Sequence, residues 1–280
     1  MDKTISILGC GWLGLPLAVK LLEQGYSVNG STTSFNKMQV FQEKGIRPFL
    51  LKDLDSISDV ENADFWHCDI LILSVPPRIK KYGSEYHSQL LAEVIRLVKR
   101  QKVTPKTLYF SSTSIYPSID TVISESFVLN EFNNANEVLY QAERMLSKDL
   151  GKKLTILRLG GLLGYDRIPG KYFINKRNIP GGTRPVNYIH RDDAVNVTLA
   201  IIHREIWGNL FNAVAPLHPS RKEVFLQNAS DFGFDPPSFD NGQSAFKIID
   251  SQKLQKKLSY QFKYPDPLKF HYTANNDYIA

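Results

Sequence analysis

A chain of 280 residues, 42% hydrophobic and 22% charged, can bury one sizeable α/β unit plus a smaller appended lobe, and its composition is that of an ordinary globular protein. A net charge of +6 spread along the chain slightly favours an anionic small molecule and, without a basic-aromatic stripe, argues against nucleic acid as partner. Two cysteines, Cys10 and Cys68, supply neither a disulfide framework nor metal-ligand spacing, and no apolar run reaches the roughly 18–20 residues of a membrane span.

The chain opens on a short apolar strand, Thr4–Leu8, that runs into Gly9-x-Gly11-x-x-Gly14 and then a helical stretch, Leu15–Leu22. A dinucleotide site needs this order of parts. Gly9 permits the tight turn, Gly11 lets backbone N–H groups approach a pyrophosphate, and Gly14 lets the helix pack close to the strand. Gly9, Cys10, Gly11, Trp12, Leu13 and Gly14 are therefore expected cofactor contacts. A strand at the very start, without a cleavable leader, makes cytoplasm the expected location.

Tyr26–Gly30 reads as the second strand. NAD-preferring sites place an acid at its end to bind the ribose 2′-OH. No acid occurs between Gln24 and Gln42. Ser31, Thr32 and Thr33 follow instead, with Lys37 one turn into the next helix, so hydroxyls and a cation suit the 2′-phosphate of NADP, with NAD as the alternative. Arg47–Leu51 is the third strand. Asp69–Val75 is a continuous apolar run suited to a strand buried on both faces, and Pro76-Pro77 ends it. Ser84–Gln101 is an amphipathic helix with Leu90, Leu91, Val94, Ile95 and Val98 on one side. Thr107–Ser111 is the next strand, Ser118–Asn134 a loop, Asn136–Asp149 a helix and Leu154–Leu159 a strand. Val75, Pro76 and Ser111, at strand ends, join the expected cofactor contacts.

Beyond Arg158 the chain becomes glycine-rich and basic. Asp166 is the only acid between Gly160 and Val186. Arg167, Lys171 and Arg184 are candidate ligands for a substrate phosphate, against the plainer reading of a solvated loop. Asp192 and Asp193 precede the Ala194–His203 helix, where acids suit the helix dipole. Ser220-x-x-Glu223 is a capping box, and a strand follows at Phe246–Ile249.

Several stretches together resemble the extended short-chain dehydrogenases/reductases, the NAD(P)-dependent epimerase/dehydratase group. They are Gly9–Gly14, Ser111-Ser112-x-x-Ile115-Tyr116, Leu157–Gly164, Tyr188–Asp193 and Phe211–Val214, and they span most of residues 1–215. The resemblance implies a doubly wound parallel sheet (Rossmann fold), with 1–160 and 185–214 binding NAD(P) and a lobe of 161–184 and 215–280 binding substrate. It implies oxidoreductase, epimerase or dehydratase chemistry on a nucleotide-sugar or other phosphate-bearing small molecule. A homodimer is left open as the assembly, and neither membrane nor metal is expected.

Two motifs depart from the family. Its glycines are usually spaced Gly-x-x-Gly-x-x-Gly, and its catalytic Tyr-x-x-x-Lys is not found on the Asn136–Asp149 helix. Tyr140 and Arg144 have that spacing and share a helix face. Alignment on Glu143, a family landmark about two turns after the Tyr, instead puts Ala135 and Leu139 at the two positions. Arg144 is not an isostere of lysine, and Ser112 is the remaining candidate for holding a substrate oxygen. Two rivals stand beside the enzyme: a non-catalytic NADP-binding redox regulator, and a hydroxyacid-dehydrogenase-type reductase with an all-helical second domain.

Overall fold

The computed structural model describes residues 3–273. Its strands are β1 (Thr4–Leu8), β2 (Ser27–Thr32), β3 (Arg47–Leu50), β4 (Ile70–Leu73), β5 (Lys106–Ser112), β6 (Thr121–Ile123), β7 (Leu154–Leu159), β8 (Gly161–Leu163), β9 (Tyr188–His190), β10 (Leu210–Ala213) and β11 (Lys247–Ile249). Seven of them form one sheet in the order β10-β7-β5-β4-β1-β2-β3. β1 pairs in parallel with both β2 and β4, β2 with β3, and β4 with β5. The chain builds outward from β1 through β2 and β3, then returns to β4 and builds the other way. The crevice of a doubly wound sheet opens at that reversal, beyond the carboxyl ends of β1 and β4.

The described residues form two compact units. Among the described residues the first comprises 3–111, Asn136–Leu157 and Leu199–Leu210. Its core is built from the apolar runs of the strands and one stripe of each long helix. Leu71 and Leu73 of β4 are fully buried, and so are Leu91 and Val94 of the Tyr86–Lys99 helix. Each such side chain contributes about 1.5–3 kcal/mol through burial. The helical stripe read from periodicity is the buried face, with His87 added to it.

Among the described residues the second unit comprises Ser112–Ala135, Arg158–Thr198 and 211–273. β8 pairs in parallel with β9, and β6 with β11. Val186, Val224 and Phe225 form its small apolar cluster. The capping box at Ser220 and Glu223 is formed and opens the Arg221–Phe232 helix. This mix of strands and helices is not the all-helical domain that a hydroxyacid-dehydrogenase type requires.

Two local expectations are corrected. β2 runs two residues past Gly30, because Ser31 and Thr32 pair with Phe49 and Leu50 of β3. Those hydroxyl residues are strand rather than the start of a loop. The 118–134 loop holds β6, whose three residues pair with a strand more than a hundred positions away, a signal too short and too distant for periodicity to detect.

Candidate dinucleotide site

Gly9 leaves β1 with φ +89°, a left-handed conformation that glycine adopts without strain. A Cβ there would stand 2.8 Å from the Ser74 carbonyl oxygen and 2.9 Å from Val75 Cγ1, so no side chain fits. At Gly14 a Cβ would lie 2.9 Å from Gly9 O, which is the close helix-to-strand approach expected of the third glycine. A Cβ on Gly11 would meet nothing within 4 Å. Gly11 therefore borders open space, where backbone N–H groups can approach a ligand.

The turn is held from below by β2. Ser31 Oγ accepts the Gly9 N–H at 2.8 Å, and Ser31 O accepts the Cys10 N–H at 3.0 Å. Ser31 is buried, so its role in this geometry is to brace the glycine turn. Its sequence position beyond Gly30 suggests only a phosphate donor, because the bond to Gly9 crosses from β2 to β1. Thr32 is also buried, and its Oγ1 accepts the Ser34 N–H at 3.1 Å. Thr33 and Lys37 are exposed. The Lys37 ammonium is close enough for its charge to act on the Cys10 thiol, although burial dominates and pushes that thiol up to about 12. Cys10 is thus an inert packing residue beside the turn.

The Gly14–Glu23 helix has no acid in its first turn and no side chain capping its N-terminal amides. Leu15 N–H already donates to Gly11 O at 2.8 Å and Pro16 has no N–H, so what this uncapped end chiefly offers an anion is the positive end of the helix dipole. Rigid glycine turn, open space at Gly11, free helix N-terminus and adjacent Lys37 together fit a dinucleotide pyrophosphate with a nearby cation. Val75 touches the turn, and Pro76 is exposed beyond it.

On β5, Ser111 Oγ donates to Glu143 Oε1 at 2.5 Å, and both residues are buried. Glu143 belongs to the Glu137–Leu150 helix, whose inward face also carries Leu139, Ala142 and Leu146. Tyr140 is half-buried on the flank of that face. Arg144 is exposed, with its guanidinium carbon 5.5 Å from the centre of the Tyr140 ring. At the alternative positions Ala135 is exposed and Leu139 buried, and neither hydrocarbon side chain can move a proton.

In the second unit, Ser112 is half-buried and its Oγ accepts the Ser114 N–H at 3.1 Å, leaving its own O–H to donate. Tyr116 of the same motif is fully buried. It accepts from Arg158 Nη1 at 2.6 Å and donates to Asn212 Oδ1 at 2.9 Å, so its hydroxyl is committed to an interior network. Arg167 is half-buried, whereas Lys171 and Arg184 are exposed. Other cations of the basic loop are used in packing. Arg177 donates to Pro236 O at 3.0 Å, and Lys176 lies 4.8 Å from the Phe173 ring centre.

The pair at 192–193 has more than a helix-dipole role. Asp193, wholly buried, accepts from Tyr260 Oη at 2.7 Å, Lys263 N at 2.7 Å and Tyr264 N at 2.9 Å. Asp192 pairs with Lys263 Nζ at 2.9 Å and accepts from Tyr165 Oη at 2.9 Å. His190 is fully buried, its ring centre 3.9 Å from that of Tyr264 with the planes tilted by 38°, and burial lowers its pKa. Its Nδ1 accepts the Asp192 N–H, and its Nε2 is 3.1 Å from His271 O. This is the arrangement of a neutral structural histidine.

Among the described residues, no helix is long and apolar enough to cross a membrane, and no cluster of His, Cys, Asp and Glu is placed to hold a metal ion. No family model matches the chain. It is 32% identical over 270 residues to the protein YeeZ of Escherichia coli K12, covering 95% of this chain and 98% of that one. Its fold is similar to that of a UDP-glucuronic acid 4-epimerase from Bacillus cereus in complex with UDP-glucuronic acid and NAD (TM-score 0.77, 16% identity, 99% of this chain and 98% of the other). It is likewise similar to the UDP-Glc/GlcNAc 4-epimerase of Campylobacter jejuni (TM-score 0.77, 18% identity, 96% of each chain). Glycine turn, strand order and whole-length likeness agree: the chain has the fold of these epimerase structures and belongs to the family of E. coli YeeZ.

Proposed function

We propose that this protein binds NADP and acts as an oxidoreductase, epimerase or dehydratase on a nucleotide-sugar or other phosphate-bearing small metabolite. The observation that carries the reading is the braced Gly9–Gly14 turn with an uncapped helix N-terminus. The structural neighbours whose names specify UDP-sugar epimerases support the reaction class. When bound, the nicotinamide would supply hydride transfer. In this chain the glycine turn and the positive end of the helix dipole bind the pyrophosphate, Lys37 and Thr33 meet the 2′-phosphate, and Val75, Pro76 and Ser111 line the strand ends. Ser112 donates to a substrate oxygen, while Arg167, Lys171 and Arg184 bind its phosphate.

Fluorescence titration with NADPH and NADH tests the cofactor. NADPH should bind more tightly, and Lys37→Glu should weaken NADPH far more than NADH. Tighter binding of NADH by the native chain overturns the preference.

A second reading, a non-catalytic NADP-binding regulator, is favoured by one observation. Arg144 is exposed and Leu139 is a buried hydrocarbon, so neither register supplies a buried tyrosine–lysine pair. Chromatographic and mass analysis of products, with absorbance at the reduced nicotinamide band for net redox turnover, over a panel of UDP-sugars, dTDP-sugars and sugar phosphates, separates the two. Turnover with any of them supports the enzyme; tight NADPH binding without turnover supports the regulator.

A further inference from the structure

β11 is held along both of its edges. On one side it pairs in register with β6, Lys247 opposite Thr121 and Ile249 opposite Ile123. On the other, one amide spans two residues: Asn187 Nδ2 donates to Lys247 O at 2.9 Å, and Asn187 Oδ1 accepts the Ile249 N–H at 2.8 Å. Side chains alternate along a strand, so Lys247 projects to the same side as Ile249, which is wholly buried. A lysine on the inward side of a strand is uncommon, because its ammonium gives up hydration there.

Lys247 is half-buried, and its ammonium donates to Tyr116 O. Tyr116 closes the short helical turn Thr113–Ile115 that Ser112 opens as its cap. At about 2 Å of rise per residue, roughly 8 Å separate the two ends of that turn. The Ser112 hydroxyl and the Lys247 ammonium therefore mark its opposite ends, a spacing that one sugar ring with its substituents can bridge. Burial lowers the Lys247 pKa, and no acid opposes it. The nearby acids serve backbone amides: Asp120 Oδ1 accepts from Phe246 N at 2.7 Å, Asp250 Oδ1 from Gln252 N at 2.8 Å and Glu125 Oε1 from Asn212 N at 2.7 Å. Among the described residues, no carboxylate bonds Lys247. A carbonyl needs one neutral donor, whereas this side chain brings a full charge and three donors.

We propose that Lys247 is a specificity residue: its ammonium receives an oxyanion, a carboxylate or a phosphate, carried on the part of the substrate that Ser112 holds at the other end of the turn. The inference rests on the reading of Ser112 above and narrows the substrate to one with an acidic group on its sugar or equivalent carbon skeleton. An oxyanion supplies the counter-charge that the chain itself does not, and a charge-assisted bond in a half-desolvated site is the strong kind. A neutral sugar would leave the ammonium uncompensated, so the same residue selects against it.

The test is calorimetry in the presence of NADPH with two pairs of probes, UDP-glucuronic acid against UDP-glucose and glucose 6-phosphate against glucose. The native chain should bind the acidic member of one pair roughly tenfold more tightly, the first pair identifying a carboxylate and the second a phosphate. Lys247→Met should abolish that preference while leaving the neutral partner's affinity unchanged, and Lys247→Arg should keep it. In the native chain, the preferred acid should also protect Lys247 from acylation, read by mass spectrometry, which needs no variant to fold. Absence of preference in the native chain, a preference that survives Lys247→Met, or equal loss for both members of a pair overturns the proposal. Acylation of Lys247 that is the same with and without the bound acid does so too. Each of these leaves the proposed function standing if the sugars still bind. A native chain that binds NADPH but none of the four probes overturns both.

Discussion

Glu143 Oε1 accepts the hydroxyl of Ser111 at 2.5 Å in the interior of the first unit, joining the Glu137–Leu150 helix to the end of β5. Ser111 immediately precedes Ser112, the last residue of β5. Glu143→Gln keeps an acceptor oxygen of the same reach and should retain most of the stability. Glu143→Leu strands a buried hydroxyl and should cost about 1–3 kcal/mol. Urea unfolding of both variants checks the difference, and equal midpoints would show that the bond has no structural role.

Tyr140 separates the two registers of the helix. With Arg144 exposed and stacked over its ring, Tyr140→Phe is expected to leave NADPH affinity and turnover at native levels. Stability should stay within about 0.5 kcal/mol. Loss of turnover at unchanged NADPH affinity would instead identify Tyr140 as the proton donor, because only an interaction made in the transition state would have been removed.

His87 should make the fold sensitive to acid. It is 1% exposed, its Nε2 is 3.0 Å from Tyr109 Oη, and burial pushes its pKa down from 6.5 to about 4. The unfolded chain takes up this proton near pH 6.5 and the folded chain only near 4. Stability from this group is therefore intact above pH 6.5, falls as the pH drops towards 4, and levels off below it. The drop is on the order of 3 kcal/mol. His190 and His218 are shifted in the same direction, also by burial. Denaturant midpoints measured across that window should fall, and His87→Phe should flatten part of the slope.

Asp193 anchors the 260–264 segment through three accepted hydrogen bonds. Asp193→Ala leaves two backbone N–H groups and a phenol without their acceptor. It should destabilise the second unit by about 3 kcal/mol or more. Limited proteolysis should then cut near 260–264 first, whereas a native cleavage pattern would contradict the anchor.

The parts of this protein determined by sequence alone are those in which the deciding residues are neighbours along the chain. An apolar strand, three glycines and a helix within twenty residues place the cradle, because the turn's steric demands act locally. The stripe at Leu90, Leu91, Val94, Ile95 and Val98 predicts the buried face of its helix, because helical periodicity repeats every few residues. What tertiary structure alone decided depends on pairings between distant residues. Ser31 became a brace because β2 lies beside β1. Ser111 met Glu143 thirty-two positions later, and Asp193 met Tyr260 sixty-seven positions later. β6 exists only because β11 completes its hydrogen bonds. A buried polar side chain or a three-residue strand is stable only when a partner arrives to satisfy it, and local patterning carries no signal of which partner that will be.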